Sequence, residues 1–152
     1  MTATIDASVV VKWFKENEEF SQESLELLRR IRDFEIKGVM NEWVILEVIR
    51  ALTKCKYERS KIHEIQHIIE SMFDIGALRK ITVSEVLPQA AGIASELGLY
   101  AADSVHLATA IVSHSDTLWT EDSHLLSMKA KNFCRKFGIK LKSLDQISTP
   151  KS

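Results

Sequence analysis

Hydrophobic and polar positions along the chain alternate between two periods. Residues 2–6 carry a period-2 pattern and predict a short strand closing at Asp6. Helical spacing follows over 9–14 and again over about 19–34, where Leu25, Leu28 and Ile31 share one side. A strand is predicted over 36–40. Asn41 then suits a helix N-cap and Glu42 a first turn, opening a helix that runs to about Tyr57 with an apolar arc of Val44, Ile45, Val48, Ile49 and Leu52. Ser60 is the expected cap of the next helix, which runs to about Asp74 around Ile62, Ile65, Ile69 and Phe73. A strand at 78–83, a helix from Ser84 to near Gly98, a helix over 101–114 and a strand at 116–120 come next. A further helix to about Phe137 stops at Gly138, ahead of a last strand at 139–143.

Strands separated by helices predict an α/β fold with a mainly parallel sheet covered on both faces. In such folds a ligand crevice lies beyond the carboxyl ends of the strands. Acidic residues do follow strands here. Asp6 closes the first, Glu47 lies in the helix after the second, Asp103 opens a helix further on, and Asp122 follows the fourth.

Composition narrows the class. The 152 residues suit one domain, expected over 1–147, with a flexible tail at 148–152. No apolar run is long enough for a bilayer, so no membrane partner is expected. The N-terminus has no signal-peptide pattern, and a cytoplasmic location is the expectation. Cys55 and Cys134 form no CxxC pair and read as core or half-buried thiols rather than zinc ligands. A net charge of −1 gives no global field toward nucleic acid, so any such binding must rest on local cations or on metal.

Each acid also has a plain structural explanation. Asp6 and Asp122 could cap the helices after them, and Glu47, at the edge of an apolar arc, could pair with a lysine or arginine. Asp103 is harder to dismiss. Its helix, AADSVHLATAIV, is apolar or small on nearly every side, so it is expected to be buried, and a buried carboxylate is costly unless paired or bound to a cation. Four acids at one crevice would repel one another, and a divalent ion relieves this. Oxygen ligands without a cysteine cluster favour Mg2+, with Mn2+ able to substitute. Such an ion can activate water for attack on a phosphodiester. Ser8 and Thr120 lie near these acids and could hold waters, although ordinary turn chemistry also explains them. On the helix of Asp103, His106 reads as a structural histidine. His124 has no assigned role. Trp13, Trp43 and Trp119 could stack on bases, but burial suits each better.

A second motif competes. His63-Glu64-Ile65-Gln66-His67 is a literal HExxH, which on a helix could hold zinc with Glu64 as general base. No GxxH continuation follows, Glu70 is too close for a distant third ligand, and the preceding stretch is strongly charged. An exposed face of an amphipathic helix accounts for it.

The segments IDASVVVKWF, EWVILEVIRAL, ADSVHLATA and LWTEDSHLL, in this order, resemble the PIN-domain nucleases, and in particular the VapC-type toxins of prokaryotic toxin–antitoxin pairs. The first segment is the most specific, and together they span nearly the whole chain. The resemblance implies a three-layer α/β/α fold and metal-dependent endoribonuclease activity on structured RNA. It also implies a homodimer and a small antitoxin that blocks the site. Carried over residue by residue, the metal-binding acids fall on Asp6, Glu47, Asp103 and Asp122. Lys12, Lys15 and Arg50, in the same segments, are candidate contacts to RNA phosphates. Two features depart from the pattern. VMNEW lacks the proline common in relatives, and Glu121 beside Asp122 leaves two candidates for the fourth acid. A non-catalytic RNA- or protein-binding module remains an alternative on the same fold.

Overall fold

A computed structural model describes residues 1–148. Five strands and seven helices alternate along them: β1 (Thr2–Ile5), α1 (Ala7–Phe14), α2 (Ser21–Arg32), β2 (Lys37–Asn41), α3 (Trp43–Lys54), α4 (Arg59–Asp74), β3 (Leu78–Ile81), α5 (Val83–Leu97), α6 (Ala101–Val112), β4 (Thr117–Trp119), α7 (Met128–Arg135) and β5 (Lys140–Lys142), followed by a 3-10 turn at Leu144–Gln146. The strands form one sheet in the order β3-β2-β1-β4-β5, and every neighbouring pair is parallel. This is the expected three-layer α/β/α arrangement.

The alternation of side chains across the strands divides the core into two layers. Ala3, Ile5, Met40 and Trp119 face α1 to α4, where Val9, Val10, Leu27, Ile31, Val48 and Ile65 pack. Val39, Leu118 and Leu141 face α5 to α7, against Val86, Ile93, Leu107, Ala108 and Ala130. Gly38 lets α2 close on the sheet. A Cβ there would lie 2.6 Å from Leu78 Cδ2 and 3.0 Å from Ile31 Cγ2, tighter than side chains tolerate. Helix α6 crosses β1, β2 and β4, and its residues Asp103 to Ile111 are buried throughout, as its composition predicts.

From β1 the chain winds outward through β2 to β3. It then recrosses by α5 and α6 to β4 on the other side of β1. The winding therefore reverses between β1 and β4, and the crevice of a doubly wound sheet opens at such a reversal. Asp6 and Thr120, the residues immediately after those two strands, stand at its floor.

Several boundaries differ from the sequence expectation for local reasons. Thr82, not Ser84, caps α5. Its hydroxyl accepts from Glu85 N while the Glu85 carboxylate accepts from Thr82 N, a reciprocal capping box. Ser60 caps nothing, because α4 already begins at Arg59. Asn41 lies one residue outside the cap position, yet its Oδ1 still accepts from Trp43 N at 2.9 Å. The helix expected straight after β4 begins only at Met128, capped by Ser127, because residues 121–127 form turns around Asp122. Cys55 is exposed and Cys134 buried. Trp13 and Trp119 pack in the core as expected, whereas Trp43 is exposed on α3. Of the expected tail, Ser148 accepts from the Arg30 guanidinium, and 149–152 lie outside the described residues. No helix among the described residues is long and apolar enough to cross a membrane.

Candidate metal centre

Asp6 is fixed from two sides. Ser8 Oγ and Thr120 Oγ1 each donate to its Oδ2 at 2.7 Å. These hydroxyls in turn accept from the backbone of the loop after β4, Ser8 from Glu121 N at 2.8 Å and Thr120 from Asp122 N at 3.0 Å. Backbone N–H groups thus polarise two hydroxyls that orient one carboxylate. The other oxygen, Oδ1, points toward His106 of α6, whose Nε2 lies 3.2 Å away. The same Nε2 contacts Glu47 Oε1 of α3. One ligand-capable atom each from Asp6, Glu47 and His106 lies within 4.8 Å of the others.

Asp103 sits three residues before His106 on α6, on the same side of the helix by the i,i+3 relation. It is buried in the first turn, where the helix N-terminus favours negative charge. Its carboxyl group is nevertheless pushed up to about 6. Burial is the main cause, followed by the charges of Asp122 and Asp6, with a smaller push from Glu47, and His106 opposes the rise. The other three acids thus all act on Asp103. His106 is completely buried, which pulls its pKa down, but the Asp6 charge and the bond to Glu47 outweigh this and hold the imidazole at about 9.

Asp103 tests whether the set suits a cation. No hydrogen bond to its carboxylate is found among the described residues, and the acids around it raise its pKa instead of relieving it. Dehydrated, rich in carboxylate oxygens and mutually repelling, the cluster fits a hard divalent ion. The ligand atoms that come within 4.8 Å of one another are those of Asp6, Glu47 and His106, with the Asp103 carboxyl close enough to feel the charges of Asp6 and Glu47. Asp122 spends Oδ1 on His124 N and Leu125 N, at 2.7 and 3.3 Å, which shapes its own turn. Glu121, its rival, turns away to accept from Leu144 N.

The remaining candidates fall elsewhere. Lys12 donates to Glu19 O and Lys15 pairs with Glu18, so both ammonium groups are held by the loop after α1. Arg50, one helical turn past Glu47, is exposed and in no ion pair among the described residues. His63, Glu64 and His67 are exposed on α4. Glu64 pairs with Lys61 and His67 with Glu70, and the motif meets no third ligand group among the described residues. His124 packs edge-on against Tyr100, ring centres 5.2 Å apart.

His106 is the member of this cluster that pattern reading set aside as structural. It is not a satisfied structural histidine. It binds two of the acids, and its Nδ1 is buried without a partner. The signal was present, as the one ionisable residue besides Asp103 in an otherwise apolar, buried helix.

Comparison with known proteins agrees with the fold. The chain resembles the VapBC2 complex of Rickettsia felis bound to a promoter DNA fragment, with a TM-score of 0.59 and 16% identity over 94% of this chain and 98% of that one. It resembles FitAB bound to the IR36 DNA fragment, with a TM-score of 0.64 and 16% identity over 97% and 98%. A toxin–antitoxin complex from Klebsiella pneumoniae matches with a TM-score of 0.59 and 16% identity over 84% and 93%. No curated protein matches the chain. The sequence pattern of the PIN domain matches residues 3–131, which take in every acid of the cluster, and the chain belongs to the PIN domain family.

Proposed function

We propose that this protein is a Mg2+-dependent endoribonuclease acting on structured RNA in the cytoplasm, the toxin half of a toxin–antitoxin pair. One observation carries the reading. Asp6, Glu47 and His106 bring their ligand atoms within 4.8 Å of one another at the reversal of the sheet, and the Asp103 carboxyl is raised by burial and by the charges of Asp122, Asp6 and Glu47. The family match and the toxin–antitoxin assemblies among the similar structures support it.

In this proposal Asp6, Glu47 and Asp103 hold the ion, and Asp122 completes the site through its free oxygen. Mn2+ replaces Mg2+. Bound there, the ion offsets charge on the phosphate and activates water for hydrolysis. Ser8 and Thr120 keep Asp6 Oδ1 directed at the centre. Arg50 is the most available cation for a substrate phosphate, whereas Lys12 and Lys15 must first leave their acidic-loop partners. A small antitoxin covering the crevice would silence the enzyme, and the working unit is a homodimer.

The test is cleavage of a structured-RNA pool with Mg2+, with EDTA and with Zn2+. Mg2+-restored cleavage that Asp103→Asn abolishes and His63→Ala leaves intact is the expected result. Full cleavage by a folded Asp103→Asn overturns the site. A folded wild type that binds RNA without cutting it in any metal would instead make the chain a binding module.

A further inference from the structure

Two carboxylates share one ring nitrogen. His106 Nε2 contacts Glu47 Oε1 and lies 3.2 Å from Asp6 Oδ1, while Nδ1 is buried with no partner. This asymmetry decides how the ring is used. An imidazole that ligates a metal through Nε2 carries its hydrogen on Nδ1, and ligating histidines pass that hydrogen to a carboxylate, a carbonyl or water. Here Nδ1 is enclosed and has no acceptor, so that tautomer leaves a buried N–H unpaired. The other neutral tautomer carries its hydrogen on Nε2 and leaves no N–H at Nδ1. There that hydrogen has two acceptors.

The acids need such a donor. Octahedral ligands at about 2.1 Å from an ion lie about 3 Å from one another. Carboxylate oxygens held that close repel before the ion arrives. Asp6 is anchored by Ser8 and Thr120, but Glu47 is a longer side chain on a different helix, and among the described residues its carboxylate bonds only to His106.

We infer that His106 is a positioning residue and not a ligand, its Nε2–H drawing the Glu47 carboxylate against Asp6 Oδ1 so that both face one cation. The inference rests on the proposed metal centre. It assigns Glu47 its placement to a residue 59 positions away.

Mn2+ binding to the full chain tests it, by titration calorimetry and by electron spin-echo modulation from ligand nitrogen. His106→Gln retains a donor near the Nε2 position, and His106→Leu fills the space without one. Glutamine is expected to bind Mn2+ within about threefold of wild type. Leucine should lose about 10–100-fold, the usual cost of removing a group that orients a metal ligand. Bound Mn2+ should show no imidazole-nitrogen coupling. Imidazole coupling in wild type, or a folded glutamine variant as weak as leucine, makes His106 a ligand and overturns the inference. A leucine variant that binds like wild type reduces the histidine to packing. Should leucine fail to fold, glutamine and the nitrogen coupling still decide. Wild type that binds no Mn2+ overturns the metal centre itself, an outcome distinct from all of these.

Discussion

Replacing Asp103 by asparagine should stabilise the metal-free protein at neutral pH while removing its response to metal. The carboxyl is buried and its pKa is raised from 3.8 to about 6. An acid raised in the folded state contributes stability that is fully present below its unfolded pKa and lost as pH rises through the folded one. That stability is therefore intact below about pH 4 and gone above about pH 6. At 1.36 kcal/mol per pKa unit the shift corresponds to about 3 kcal/mol. The effective dielectric around a buried carboxylate exceeds that of a dry interior, which reduces the expected effect to about 1–2 kcal/mol. Asparagine keeps the shape without the charge, so its advantage should be small near pH 4 and reach about 1–2 kcal/mol at pH 7.5, a melting shift of about 2–8 °C. Urea unfolding followed by circular dichroism, in EDTA across that pH range, measures it. Mn2+ at a hundred times its dissociation constant should then add about 2.7 kcal/mol to wild type and far less to the variant, reversing their order. A variant no more stable than wild type at pH 7.5 in EDTA, or an advantage independent of pH, refutes the reasoning.

Three further outcomes follow from the same geometry. Ser8→Ala and Thr120→Ala each remove a bond to Asp6 Oδ2 and should each cost about 1 kcal/mol in urea unfolding, with the double variant non-additive because both act on one oxygen; full additivity would mean that they work separately. Gly38→Ala should destabilise by about 1–3 kcal/mol, since its methyl meets Leu78 and Ile31 inside a closed layer, and an unchanged melting temperature would show that α2 can retreat freely. Glu26 is held down to about 2 by Arg29, with Arg30 adding to it, so its share of stability is present above about pH 4.5 and is lost as pH falls toward 2; Glu26→Gln should flatten the acid limb of the unfolding profile, and an unaltered limb would place acid sensitivity elsewhere.

Much of the fold was legible because its signals are local. The period-2 runs and the helical arcs each span only a few residues, and the all-small helix around Asp103 announced its own burial. The carboxylates stood out because acids after strands fall where a doubly wound sheet opens. What stayed hidden depended on partners far along the chain. Whether Lys12 faces RNA or its own loop is decided by the turn that carries Glu18 and Glu19, and nothing in the helical pattern reports that turn. In the sequence only its spacing from Thr120 favours Asp122 over Glu121, and the bond from Leu144 N that engages Glu121 comes from a residue too far along the chain for a local pattern to report. His106 looked structural because its role is defined by Glu47, a neighbour only after folding. The late start of α7 has the same origin, since Asp122 and Thr120 hold the preceding loop in turns that pattern alone reads as helix.

The central position of β1 bears on when the site comes into being. The first strand made is flanked by β4, and the Asp6 carboxylate is oriented by a hydroxyl 114 residues downstream. Until Thr120 has been synthesised and docked, Asp6 lacks one of its two fixed donors and β1 has an open edge. A ribosome-bound chain ending short of β4 therefore carries three of the four acids but no assembled centre. In the proposed centre, assembly of the carboxylates would thus wait until all but the last elements of the domain have been made.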